Sequence, residues 1–138
     1  METFNQYQKT TIKRIKAITK RLEKELGLKG FIQVRHVFDA GMDGDTTTPT
    51  DSPTLFGTCA VTTPTWNYRY AQIRWYLSMA SDATTDTLEQ VAIHEYVHIL
   101  VHPITQLISS DELGPREEYA TESIARAICH ARGMKNIR

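Results

Sequence analysis

Apolar residues in the first part of the chain, Phe4, Ile12, Ile15, Ile18, Leu22 and Leu26, recur at helical spacing with Lys and Arg between them. This pattern predicts an amphipathic helix over 3–26, with Gly27 and Gly30 serving its end and the turn after it. Residues 31–38, FIQVRHVF, are β-branched and aromatic and predict a strand. Residues 39–53, DAGMDGDTTTPTDSP, cannot contribute to a core and read as a long loop, either a functional lid or a disordered segment. Leu55–Thr63 and Asn67–Leu77 predict two further strands joined around Pro64. In the second, a period of two puts Ala71, Ile73, Trp75 and Leu77 on one face, the core face.

From Asp86 the period changes. Asp86-Thr87-Leu88-Glu89 matches a capping box, and the following LEQVAIHEYVHILV is apolar nearly all round, as suits a helix buried through the middle of a domain. Pro103 is placed to kink or end it. The polar stretch SSDELG leads to Pro115, in the first turn of a last helix, REEYATESIARAICHAR, that ends near Gly133. No internal repeat is visible. Helix, three strands, helix, helix predicts an α+β fold, a single domain over 1–138 with its sheet packed on the central helix.

Composition changes this picture little. Apolar residues make up 41% and charged residues 23%, ordinary for a globular domain and too apolar for a disordered one. Lys plus Arg equals Asp plus Glu at 16 each, so no overall field draws the chain to nucleic acid or membrane. Residues 1–30 nevertheless carry eight Lys or Arg against three Glu. Lys9, Lys13, Lys16, Lys20 and Lys24 form a stripe, read as a solvated face rather than a nucleic-acid site, since no interleaved aromatics support base stacking. No apolar run approaches the roughly 20 residues that span a bilayer, and METFNQYQKTTIKR lacks the apolar stretch of a secretory signal. Cys59 and Cys129 lie far apart and read as reduced, buried thiols. The expected location is intracellular, in the cytoplasm.

The chemistry concentrates in His94-Glu95-Tyr96-Val97-His98. Histidines four apart on a helix face the same way and can share one zinc ion at about 2.0–2.1 Å per nitrogen. Glu95 stands beside them as a general base, the logic of H-E-x-x-H. Zinc would lower the pKa of its water from 15.7 to about 7, with Glu95 taking the proton as hydroxide attacks a carbonyl. The site needs a third protein ligand. Val101 and Ile104 occupy the positions where a metzincin has Gly and His, which excludes that class. His102 lies about 12 Å along the axis from His94, too far to share its zinc; it reads as a C-terminal histidine facing the helix carbonyls. The remaining candidates are Glu117, Glu118 and Glu122. An apolar face through Ala120, Ile124, Ala127, Ile128 and Ala131 includes Glu117, with Glu118 at its edge and Glu122 beyond it, which favours Glu117.

His94-Glu95-x-x-His98 followed by Glu117-Glu118-Tyr119-Ala120 resembles the gluzincin pattern, HExxH and then E-x-x-A on a downstream helix. The small size and element order are similar to minimal zincin-like metallopeptidases, including those encoded in bacteriophage genomes, over about residues 55–132. The resemblance implies a three- or four-stranded sheet whose edge strand lies above the zinc and pairs with an extended peptide. It implies His94, His98 and Glu117 as ligands, Glu95 as base, and a peptide or protein substrate in the host cytoplasm. Thr121 stands where gluzincins often have Asp, so no carboxylate at that position orients a zinc-bound histidine. Tyr68, Tyr70, Tyr76, Tyr96, Tyr119 and His130 are available as oxyanion stabilisers. The competing readings are a zincin-like structural or binding module without turnover, and a SprT-like DNA-associated protease; an intact Glu95 favours an enzyme.

Overall fold

The computed structural model describes residues 3–40, 59–65, 70–105, 113–135 and 137. In chain order these form α1 (Gln6–Glu25), β1 (Gln33–Asp39), β2 (Ala60–Thr65), β3 (Tyr70–Tyr76), α2 (Leu77–Ala80), α3 (Thr85–Thr105) and α4 (Leu113–Ala131). The architecture is α+β, four helices around a small mixed sheet. Most of the 39–53 loop and the start of the expected Leu55–Thr63 strand lie outside the described residues.

α1 starts later than its apolar pattern suggests because Asn5 caps it. The Asn5 side chain accepts from Gln8 N at 2.8 Å, and the Gln8 side chain accepts from Asn5 N at 2.9 Å. At the other end Gly27, at φ 73°, lets Leu28 N reach Glu23 O and Gly27 N reach Lys24 O. Leu28 then drops into the core. Gly133, at φ 71°, ends α4 in the same way.

The sheet order is β1-β3-β2, with β1 parallel and β2 antiparallel to the central β3. Ala71, Ile73 and Trp75 of β3, and Leu77 after it, are fully buried, as the alternation requires. Ile73 pairs with His36 on one side and Thr62 on the other. α3 crosses this layer as the central helix, packed on β2, α4 and α1; residues 88–97 are all buried. Its cap is Thr84, not Asp86: Thr84 Oγ1 accepts from Thr87 N at 3.1 Å and Leu88 N bonds Thr84 O. Glu89 is not the partner of a capping box; its carboxylate meets Arg21 at 3.3 Å and Arg132 at 3.5 Å, tying α3 to the ends of α1 and α4. Pro103 does not end α3, which continues to Thr105.

The α1 flank of α3 is tied by a polar chain. Tyr96 Oη donates to Glu23 Oε2 at 2.7 Å, and the same oxygen takes His36 Nε2 at 2.6 Å. Trp75 Nε1 donates to His36 Nδ1 at 3.1 Å, which puts the ring proton on Nε2, toward Glu23. Burial, then the bond to Glu23, pushes the Tyr96 hydroxyl far above its ordinary range. Cys59 and Cys129 are both buried and not joined in a disulfide. No helix of the described residues is long and apolar enough to cross a membrane.

Candidate metal centre

Four residues on a helix make nearly one turn, so His94 and His98 stack on one flank of α3, ring centroids 4.9 Å apart at 78°. That flank faces α4, which runs antiparallel to it: His94 meets Glu118 and Glu122, and His98 meets Glu117 and Glu118. The Glu118 carboxylate lies between the two imidazoles, Oε1 at 3.0 Å from His94 Nε2 and Oε2 at 3.2 Å from His98 Nε2. His94, His98 and Glu118 form the one group among the described residues whose donor atoms converge as a metal requires.

The carboxylate that converges with both imidazoles is Glu118, next to the expected Glu117, which meets only His98 at Nδ1. The reason is the rotation of α4. Its buried face runs through Thr121, Ala125 and Cys129, while Ala120, Ala127 and Ala131 are exposed and Ile124 is 42% exposed. The apolar stripe expected to face the core is thus turned away by about 100°, one residue of helix. Three alanines gain little from burial, at about 0.8 kcal/mol per methyl-sized group. The observed rotation instead buries Cys129 and brings three carboxylates to two imidazoles.

Glu117 and Glu122 occupy the far sides of the rings. Glu117 Oε1 is 3.3 Å from His98 Nδ1, with Thr121 Oγ1 at 3.4 Å from the same nitrogen. Glu122 Oε2 is 3.2 Å from His94 Nδ1, but too far off the N–H direction for a hydrogen bond, so this buried nitrogen has an ion-pair neighbour and no aligned acceptor. The Glu117 carboxylate, bonded at Nδ1, orients the His98 ring from behind. Glu117 supplies what Thr121 lacks.

Glu95 leaves α3 on a different flank, toward β2. It is buried, and Thr62 Oγ1 donates to its Oε1 at 2.7 Å. Its other oxygen, Oε2, is 4.0 Å from His94 Nε2. Burial pushes the Glu95 carboxyl up, opposed by the His94 and His98 charges and the Thr62 bond. Burial pulls His98 down, but Glu118, Glu95 and Glu117 outweigh it and hold the imidazole up to about 9. Hydrogen bonds from His94 and then His98 hold the Glu118 carboxyl well below the usual carboxylate range. Cys59 is pushed up to about 11 by burial and the Glu95 charge, so it stays a thiol.

The donor set fits zinc: two imidazoles and a carboxylate are the ligands of an open catalytic site. One donor atom from each of the three residues lies within 4.8 Å of the other two, where the ligands of a tetrahedral ion at about 2.0–2.1 Å would stand about 3.3 Å apart. His102 lies in the last turn of α3, outside the group. Of the oxyanion candidates, Tyr96 commits its hydroxyl to Glu23, Tyr119 is 77% exposed, His130 is exposed and Tyr68 lies outside the described residues. Sequence reasoning missed Thr62, which belongs to no motif. Comparison of the chain with protein-family models, curated proteins and solved structures finds no match.

Proposed function

We propose that the chain is a zinc-dependent peptidase of the gluzincin type, with His94, His98 and Glu118 holding the metal and Glu95 as general base. The observation that carries this reading is the Glu118 carboxylate set between the two Nε2 atoms at 3.0 and 3.2 Å, beside a buried Glu95. Zinc held there would polarise a substrate carbonyl and lower the pKa of its water to about 7. Glu95 takes the proton of the attacking water at Oε2 and returns it to the leaving amine, while Thr62 fixes Oε1. Glu117 holds the His98 ring from behind through Nδ1, and Glu122 stands beside His94 Nδ1 without an aligned bond. A purely structural zinc would more usually be closed by four Cys or His and would need no Glu95.

A peptide substrate suits the position of β2. Among the described residues it is an edge strand of the sheet, and Thr62 in its middle touches the base. An extended peptide added along that edge would run past Glu95 and the metal group.

Two measurements test the proposal. Purified protein incubated with zinc should hold about one ion per chain, and Glu95→Gln should hold as much yet lose cleavage of a mixed peptide pool by about 10²–10⁴-fold. A wild type that takes up no zinc, or a Glu95→Gln variant that still cleaves, would overturn it.

A further inference from the structure

We propose that the outer face of α1 is a docking surface for the phosphate backbone of duplex nucleic acid. The structure sorts the charged side chains of this helix into two sets. Arg14 donates to Ala83 O, Arg21 pairs with Glu89 and Glu25, Glu23 holds His36 and Tyr96, and Glu25 holds Arg132. Every arginine and glutamate of the helix is thereby used inside the fold. The five lysines are not. Lys9, Lys13, Lys16, Lys20 and Lys24 are all exposed, and among the described residues no carboxylate pairs with any of them. Only Lys16 has a neighbour of note, the ring of Phe38 at 5.9 Å.

At about 100° per residue the five lysines fall within an arc of about 80°, opposite the buried Ile15, Ile18 and Leu22. From Lys9 to Lys24 the row is about 22 Å long at 1.5 Å per residue. One strand of a duplex presents about six phosphates over that length, at about 3.4 Å per step. The chain has formal net charge zero, so the stripe is a local positive feature on a molecule whose other residues carry 11 Lys or Arg against 16 Asp or Glu. Flexible point charges in a row, without guanidinium forks or aromatic platforms, suit sequence-independent phosphate contact and not base stacking on a single strand. Insertion into a membrane surface needs the helix's apolar side, and here that side is in the core.

The test is fluorescence anisotropy of the full chain with a labelled 20-base-pair DNA duplex of arbitrary sequence. Five phosphate contacts give a slope of log affinity against log salt of about −4.5, or about 500-fold weaker binding at 200 than at 50 mM. Replacing Lys13, Lys16 and Lys20 by Gln should reduce the slope to about −1.8, with circular dichroism unchanged; replacing the same three by Arg should keep the slope. No binding at 50 mM salt, or binding whose slope the Gln substitutions leave unchanged, would overturn the proposal. So would equal or tighter lysine-dependent binding to polyglutamate or to phosphatidylserine vesicles.

Discussion

Glu118→Ala and Glu117→Ala separate the two roles that the rotation of α4 assigns to adjacent glutamates. Glu118 faces both Nε2 atoms, whereas Glu117 touches only the Nδ1 side of His98. Losing an outer carboxylate typically weakens metal binding by about 10–100-fold. Losing a ligand should cost more: a zinc site bound by about 10–16 kcal/mol through four ligands loses about 2.5–4 kcal/mol with one of them, about 10²–10³-fold. Thermal unfolding reads the difference. With zinc at 100 times the wild-type Kd, wild type gains about 2.7 kcal/mol, about 10 °C in Tm for a domain of this size. At the same zinc concentration a 30-fold loss leaves Glu117→Ala about 0.9 kcal/mol, about 3 °C. A 300-fold loss leaves Glu118→Ala about 0.2 kcal/mol, under about 1 °C. Each variant is compared with its own chelator-treated form, and chelator competition gives the Kd values directly. If Glu117→Ala abolishes the zinc shift and Glu118→Ala keeps it, Glu117 is the ligand and the deduced role of the rotation is refuted.

Thr62→Ala should leave zinc affinity unchanged and lower kcat on a peptide pool by about 10-fold, because Glu95 loses its fixed orientation. Thr62→Ser should restore it, and a serine variant as slow as the alanine one would refute a role for the hydroxyl. Tyr96→Phe should cost about 1.5–3 kcal/mol in urea unfolding, the worth of a hydrogen bond to a charged group, without changing zinc Kd. A parallel loss of zinc affinity would show that the α1 flank is not independent of the metal flank. In chelator-treated protein, His98 is held up to about 9 when folded, against 6.5 as its ordinary value. Its contribution to stability is therefore complete below pH 6.5 and lost as pH rises through 9. A Tm series over that range should fall, and the same series for His98→Ala should be flatter; equal slopes would exclude His98 as the cause.

Periodicity located α1, α3 and α4 and the buried face of β3 because burial there is decided by many apolar side chains at once, while the four-residue α2 begins where the pattern expects the end of a strand. Ala71, Ile73, Trp75 and Leu77 leave one register open to that strand. α4 offered no such majority. Ala120, Ala127 and Ala131 are small enough to sit in water, so their stripe competed weakly with the carboxylates on the next face. Its orientation was legible in another way. Glu118 and Glu122 are four apart, as are His94 and His98, and two pairs of equal spacing on antiparallel helices can meet side by side. Thr84 lost out to Asp86 in the sequence reading because S/T/D-x-x-E marks a cap only when the Glu has nothing better to bind, and Glu89 has Arg21 and Arg132. Thr62 carries no signal of its own, since its contact with Glu95 depends on how the sheet crosses α3.

The all-round apolar character of α3 is what makes the site possible. A helix with one apolar face could expose the rest to water, but residues 88–97 are buried on every side, so each polar group among them must find a partner within the protein. Within five residues, three neighbouring elements supply those partners. Tyr96 turns to Glu23 on α1, Glu95 to Thr62 on β2, and His94 and His98 to the glutamates of α4. With the helix set by its burial, the second contact holds the base and the third the donor atoms. The His94–His98–Glu118 group and Glu95 are held by different elements, so under the proposed function Glu95→Gln should remove catalysis without disturbing zinc uptake, and Glu118→Ala should remove zinc uptake without freeing Glu95 from Thr62.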